Sequence, residues 1–287
     1  MSEIHTRNMT EADFPQCQIL REQARWNQTL EDWKRFLSYN PKGCFVAVNQ
    51  SKVVGTVCTI AYQTFGWVAM VIVDTDHRRQ GIGRDLLLKG IHHLESRGLT
   101  VKLDATPAGK LLYDTLGFAD EYKVARYECR NPHAAIPGSS RDDALCELLD
   151  QNELNQLDAY DQRIFGNSRI QVLQSYLRLY PQHAYFRRRG EGISGYIMAR
   201  EGVNAFHVGP WVADDPETAK ALLYTCLVQR RAELVFIDII EPNPYALPIL
   251  AELGFTLQRP FVRMYKGNNS HPGEPQLVYS LSGPELG

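Results

Sequence analysis

The sequence predicts an α/β (α+β) protein made of two tandem domains that share one layout. Three observations carry this prediction. Runs of β-branched and aromatic residues alternate with stretches whose apolar residues recur at helical spacing. The same order of runs occurs twice, offset by about 140 residues, far longer than the ~20–50 residues of a solenoid unit. The length, 287 residues, suits two domains of ordinary size.

Taken in order, Phe14, Cys17, Ile19 and Leu20, then Leu30, Trp33, Phe36 and Leu37, predict two short amphipathic helices. CFVAV (44–48) and VVGTVCTIAY (53–62) predict strands joined by the polar turn 49–52, and Trp67 to Val73 predicts a third. A helix is expected from Gly83 to Arg97, with Leu86, Leu87, Leu88, Ile91 and Leu94 inward and Gly98 as its C-cap. A strand (99–105), a short helix (109–118) and a strand (122–129) follow. The Pro-, Gly- and Ser-rich stretch 131–141 reads as a linker between a domain at 1–130 and one at 142–287. In the second half Leu154, Leu173 and Leu177 take the places of Phe14, Trp33 and Leu37, and Leu253-Gly254-Phe255 repeats Leu116-Gly117-Phe118.

Composition narrows the function classes. Hydrophobic residues make up 44% and the formal net charge is -2, so wholesale disorder is excluded and no global field draws nucleic acid or an anionic membrane. None of the six cysteines lies within four residues of another, so no metal or redox pair is visible and reduced thiols are expected. The polar start lacks a signal-peptide core, and no apolar run approaches the ~20 residues of a membrane span. A cytoplasmic protein is expected, with its oligomeric state left open.

The most chemical stretch is VIVDTDHRRQGIGRDLL (71–87), where a strand gives way to a helix through Gly81-Ile82-Gly83. Glycines let the backbone approach a ligand, and a helix start favours an anion. Arg78, Arg79 and Arg84 add positive charge, so a diphosphate fits; a turn made for packing alone is the other reading. Leu86 stands where a dinucleotide fingerprint needs its third glycine, and no Gly-Lys-Ser/Thr follows.

About 30 residues on comes Leu112-Tyr113-Asp114-Thr115-Leu116-Gly117-Phe118. Together, RRQGIGRDLL and LYDTLGF resemble the GNAT acetyltransferase superfamily, in which Arg/Gln-x-x-Gly-x-Gly/Ala opens the helix that holds acetyl-coenzyme A. The resemblance covers residues 3–130 and implies a mixed, mostly antiparallel sheet flanked by helices in each domain. It implies that the backbone of Val71, Ile72 and Val73 binds the acetyl carbonyl and pantetheine arm. Arg78, Arg79, Gln80, Gly81, Ile82, Gly83 and Arg84 would hold the pyrophosphate. Tyr113 would be the general acid that protonates the leaving thiolate; a tyrosine packed in the core with its hydroxyl satisfied is the alternative. For the general base, Asp104 at its strand end is the first candidate, ahead of Glu121, Asp74 and His77. His92 and His93 do not share a helix face and make a poor metal site; no metal is expected.

The second half keeps the apolar frame and loses the chemistry. Asp214, Asp215 and Glu217 stand where the arginine loop should be, and Leu250 replaces the tyrosine. This half reads as a degenerate GNAT domain. Asp161, Arg163, Phe165 and Arg169 are candidates to line an acceptor pocket, with a helix cap plus ion pairs as the other reading. LVYSLS in the tail is expected to add an edge strand. The resemblance implies acetyl transfer from acetyl-CoA to a primary amine of a small molecule by direct attack. Acidic residues at the mouth would draw a cationic amine. A regulatory protein that binds acetyl-CoA without turnover is the alternative.

Overall fold

A computed structural model describes residues 4–132, 146–228 and 233–287 of the chain. The linker expected over 131–141 lies outside the described residues from position 133 onward. The first half runs β1 (Ile4–Asn8), α1 (Phe14–Gln23), α2 (Leu30–Tyr39), β2 (Phe45–Asn49), β3 (Lys52–Ala61), β4 (Phe65–Val73), α3 (Ile82–Glu95), β5 (Thr100–Ala105), α4 (Pro107–Thr115) and β6 (Ala119–Arg130). The second half repeats it as β7 (Glu147–Leu148), α5 (Leu154–Phe165), α6 (Ile170–Leu179), β8 (Ala184–Arg189), β9 (Gly192–Arg200), β10 (Phe206–Ala213), α7 (Pro216–Leu227), β11 (Leu234–Ile240), α8 (Ala246–Glu252) and β12 (Thr256–Lys266), then adds β13 (Val278–Ser280). The internal repeat is thus element for element.

The strands form one sheet in the order β1-β2-β3-β4-β5-β12-β6-β11-β10-β9-β8-β7, with β13 against β10. The halves exchange their last strands. β12 of the second half lies beside β5 of the first, and β6 of the first lies beside β11 of the second. β6 and β12 pair antiparallel at the centre. Pairing is antiparallel except for two short parallel contacts, β4 with β5 and β10 with β11.

One face of the sheet carries α1, α2, α5 and α6 over a core that runs through both halves, with Trp33, Phe36 and Trp67 continuous with Leu173 and Tyr176. The opposite face has two separate cores, under α3 (Leu86, Leu87, Ile91) and under α7 (Leu222, Leu223, Leu227). Local signals place the helix starts. Thr106 caps α4 by accepting from the Gly109 amide at 3.2 Å, with Pro107 in the first turn. Gly81 starts α3 at φ +85°, a conformation that strains any side chain.

Each half has an opening where its parallel pair diverges. β4 pairs with β5 only over Phe65–Trp67, and β10 with β11 only over Phe206–Val208. In the second half β13 enters that opening: it pairs with β10 at Trp211 and Val212, and the Leu281 amide donates to the Asp238 carbonyl at 3.0 Å. The tail strand therefore fills the interior of a sheet rather than extending its edge. The chain then crosses back to the first half. There Trp67 Nε1 donates to the Pro284 carbonyl at 3.1 Å and the Tyr62 hydroxyl to the Leu286 carbonyl at 2.6 Å.

Candidate active site

The opening in the first half stays clear. Beyond Trp67 the β5-facing edge of β4 has no strand partner among the described residues, so its backbone groups point into a cavity of about 160 Å³. Met70 sits at φ +55° where the ladder with β3 bulges, and the Thr56 hydroxyl donates to its carbonyl at 2.7 Å. Val71 lines the cavity, while Ile72 and Val73 carry the strand on toward the arginine loop. Arg78 Nε donates to the Val73 carbonyl at 3.3 Å. Arg78, Arg79, Gln80, Gly81 and Arg84 are exposed, Gly83 is half-buried, and Ile82 anchors the turn in the core. No carboxylate among the described residues pairs with the three arginines. The first-turn amides of α3, without partners in their own helix, therefore face solvent beside uncompensated positive charge.

Tyr113 reaches the same cavity from α4. Its ring packs against Phe118 at 5.9 Å, and burial pushes its hydroxyl pKa up, keeping the proton on. The hydroxyl has no hydrogen-bond partner among the described residues, unlike that of a tyrosine placed for packing.

Asp104 also lines the cavity, where it is held in an ion pair. Both of its oxygens accept from Arg263 of β12, at 2.9 Å each, and the side chain is fully buried. Burial raises its pKa against the pull of Arg263, yet a proton added there would break a charge-assisted pair. Glu121 is held by Lys102 at 3.0 Å and by Asn269, and Asp74 by Lys52 and His77 at 3.0 Å each.

The remaining walls come from distant parts of the chain. Trp26, Asn27 and Gln28 of the α1–α2 loop close one side, with Arg126 of β6. Arg259 and Phe261 of β12 and Pro284 and Glu285 of the tail supply the other. Glu285 is 5% exposed; its Oε1 accepts from Arg200 at 2.8 Å, and Oε2 has no partner among the described residues. Sequence reasoning missed all of these. Of these, only Pro284 and Glu285 belong to the tail that the sequence singles out. The second half also fixes the loop: Asn27 Nδ2 donates to the Ala205 carbonyl at 2.9 Å, and its Oδ1 accepts the Asn204 and Ala205 amides at 2.8 and 2.9 Å.

None of Asp161, Arg163, Phe165 and Arg169 lines this cavity. Arg169 forms a buried bidentate pair with Asp161 at 2.7 and 2.8 Å, lies 4.2 Å over the Phe165 ring and donates to the Gly287 carbonyl at 3.1 Å. Arg163 pairs with Glu274 at 2.9 Å and Asp214 at 3.6 Å. Asp161, Arg163 and Arg169 are engaged in ion pairs, and Phe165 and Arg169 line a separate small cavity with Trp67 and Arg263.

At the counterpart loop Asp215 caps α7 through the Thr218 amide at 2.8 Å and pairs with Arg189. Glu217 pairs with Arg187 at 3.4 Å, Asp214 accepts from the Tyr160 hydroxyl at 2.9 Å, and Leu250 is fully buried. Among the described residues no three His, Cys, Asp or Glu side chains are grouped to hold a metal. None of their helices is long and apolar enough to cross a membrane.

Two family profiles match the chain: the acetyltransferase (GNAT) family over residues 6–118, and an acetyltransferase (GNAT) domain over 157–280. The uncharacterized N-acetyltransferase YitH of Bacillus subtilis is 26% identical over 188 residues, covering 66% of this chain and 65% of that protein. Mycothiol acetyltransferase of Thermobispora bispora is 37% identical over 111 residues, covering 34% of this chain and 37% of that one. N-alpha-acetyltransferase 30 of Homo sapiens is 30% identical over 104 residues, covering 33% and 29%. The chain thus spans less than two thirds of the length of each of these relatives. A solved chain from Pyrococcus horikoshii shares the fold with a TM-score of 0.84 and 24% identity, covering 100% of this chain and 97% of its own. A tandem GNAT protein from the clavulanic acid biosynthesis pathway does so with a TM-score of 0.62 and 16% identity, covering 93% and 100%. The open strand edge, the arginine loop and the two profile matches lead to one statement: this chain belongs to the GNAT acetyltransferase family, as a tandem of two GNAT domains.

Proposed function

We propose that the first half transfers an acetyl group from acetyl-CoA to a primary amine of a small molecule, and that the second half completes the site without binding coenzyme itself. The observation that carries this is the unpaired edge of β4, which joins the Tyr113 cavity to the uncompensated arginines of the α3 start. Arg78 to Arg84 fit a pyrophosphate and the open edge fits an extended amide-bearing arm. A carboxylate-capped α7 and a β13-filled opening leave room for neither. Residues 1–130 and 142–287 are the two functional units in this reading, joined by exchanged strands.

The chemistry follows from the residues. The backbone N–H of Val71 stabilises negative charge on the thioester oxygen as the amine adds to the carbonyl carbon. Tyr113, kept protonated by burial, gives its proton to the sulfur as the C–S bond breaks. Glu285, with one oxygen free of partners, takes the proton lost by the amine in place of the clamped Asp104. Some relatives are named mycothiol acetyltransferase and others N-alpha-acetyltransferase. A cavity of about 160 Å³ walled by the tail favours a small acceptor.

The test is coenzyme A release against a panel of amines. Tyr113→Phe should cut turnover roughly 10²-fold while leaving acetyl-CoA affinity nearly unchanged. Full activity in that variant removes the acid role. Tight coenzyme binding with no acceptor turned over would favour a regulatory protein.

A further inference from the structure

A second cavity, of about 520 Å³, adjoins that of Tyr113 and shares Asn27, Arg126 and Arg259 with it. Four arginines line it, Arg21, Arg25, Arg126 and Arg259, against one carboxylate, Glu22. Their charges are unequally balanced. Arg126 is neutralised by Asp238 through two 2.8 Å bonds. Arg21, 5% exposed, spends Nη2 on Glu22 at 3.1 Å and leaves its buried Nε without a partner. Arg25 and Arg259 face no carboxylate within ion-pair distance among the described residues, and Arg259 donates only from Nε, to Gln258 at 2.8 Å. Both terminal nitrogens of Arg259 thus remain free in a wall common to the two cavities. In the Tyr113 cavity Gln28, 6% exposed, keeps its buried Oε1 without a donor among the described residues.

We infer that the acceptor is an amine that also carries a carboxylate or a chemically equivalent anionic group, held by Arg259. The inference rests on the acetyl-transfer reading above and names its acceptor class. A half-buried guanidinium without a counter-ion is costly, and its planar fork matches a carboxylate through two parallel bonds. The amine end then meets Gln28 Oε1, an acceptor waiting for an N–H, within the cavity that holds Glu285 and Tyr113. This acceptor differs from the cationic amine expected from the sequence in carrying an anionic group, because Arg25 and Arg259 bring positive charge without a carboxylate partner among the described residues.

Matched amines that differ only in one group provide the test: an amino acid, its carboxamide and its phosphate analogue, presented to the full chain. Binding is read by calorimetry with coenzyme A present, and turnover by coenzyme A release. Wild type should prefer an anionic amine over the carboxamide by roughly 10- to 100-fold in affinity and kcat/KM. Arg259→Gln should erase most of that preference, with the loss falling on KM, and Arg259→Lys should restore part of it. A stronger phosphate analogue supports the same site and makes phosphate its ligand. Equal binding of acid and carboxamide by wild type, or an undiminished preference in a folded Arg259→Gln, overturns the inference. If no amine turns over but Arg259-dependent anion binding persists, it is the transfer reading that fails.

Discussion

Asp104 of the first half and Arg263 of the second are joined by two hydrogen bonds of 2.9 Å, with both side chains buried. The pair spans the register between β5 and β12, where the exchanged strand enters the first half's sheet. Arg263 also lies 4.5 Å over the Trp67 ring and donates to the Tyr122 hydroxyl at 2.7 Å. Removing one member leaves a buried charge without its partner. Arg263→Ala should therefore destabilise the protein by about 3–5 kcal/mol, and Arg263→Met with Asp104→Asn by much less. Urea unfolding of the three proteins measures this; a single-variant loss under about 1 kcal/mol would show that the pair contributes little.

Glu285→Gln should lower kcat roughly 10²-fold at neutral pH. Its rate should recover as pH rises, because an amine already deprotonated needs no base. A pH profile that matches wild type apart from a constant factor would assign Glu285 to the support of Arg200 alone.

Charge removal should act oppositely in the two halves. Arg79→Gln and Arg84→Gln should each raise the KM for acetyl-CoA several-fold, in a salt-dependent way, with stability within about 0.5 kcal/mol of wild type. Asp215→Ala removes a helix cap, so it should cost about 1 kcal/mol of stability and leave the KM for acetyl-CoA unchanged. Thermal unfolding and steady-state kinetics on the same samples separate the two effects.

Gly202 lies against Asn27, and a Cβ there would overlap the Asn27 carboxamide. Gly202→Ala should displace the α1–α2 loop and raise the KM for the amine while the KM for acetyl-CoA holds. An equal rise in both would indicate general loosening of the first half.

Asp32 carries a pH signature across the two halves. Burial alone would raise its pKa, but Arg200 of the second half, with Arg35 and the Thr29 amide, holds it at about 2. A carboxylate depressed in the folded state stabilises above its unfolded pKa, and that contribution is lost as pH falls from about 4 through 2. Stability should drop across that window, and Asp32→Asn should flatten the drop. Urea midpoints between pH 5 and 2 provide the measurement.

The amino-acid sequence by itself determined the order of elements, their repetition, the arginine loop and the placing of Tyr113 on its helix. These depend on short-range patterns: apolar spacing, glycines that permit left-handed backbone, prolines and hydroxyls at helix starts. It also showed Asp214, Asp215 and Glu217 displacing the loop in the second half. Only the tertiary structure decided what surrounds Tyr113. Arg259 and Glu285 join Gln28 there because two strands are exchanged and a tail crosses back, and no periodicity reports a crossing of that kind. The same cause clamps Asp104, since its partner Arg263 stands 159 positions away. Asp161 and Arg169, eight apart, were legible as a pair but not as the anchor of a tail more than a hundred residues on. Contacts set by sheet register and long-range packing leave no local trace, because their partners are chosen only when the chain folds.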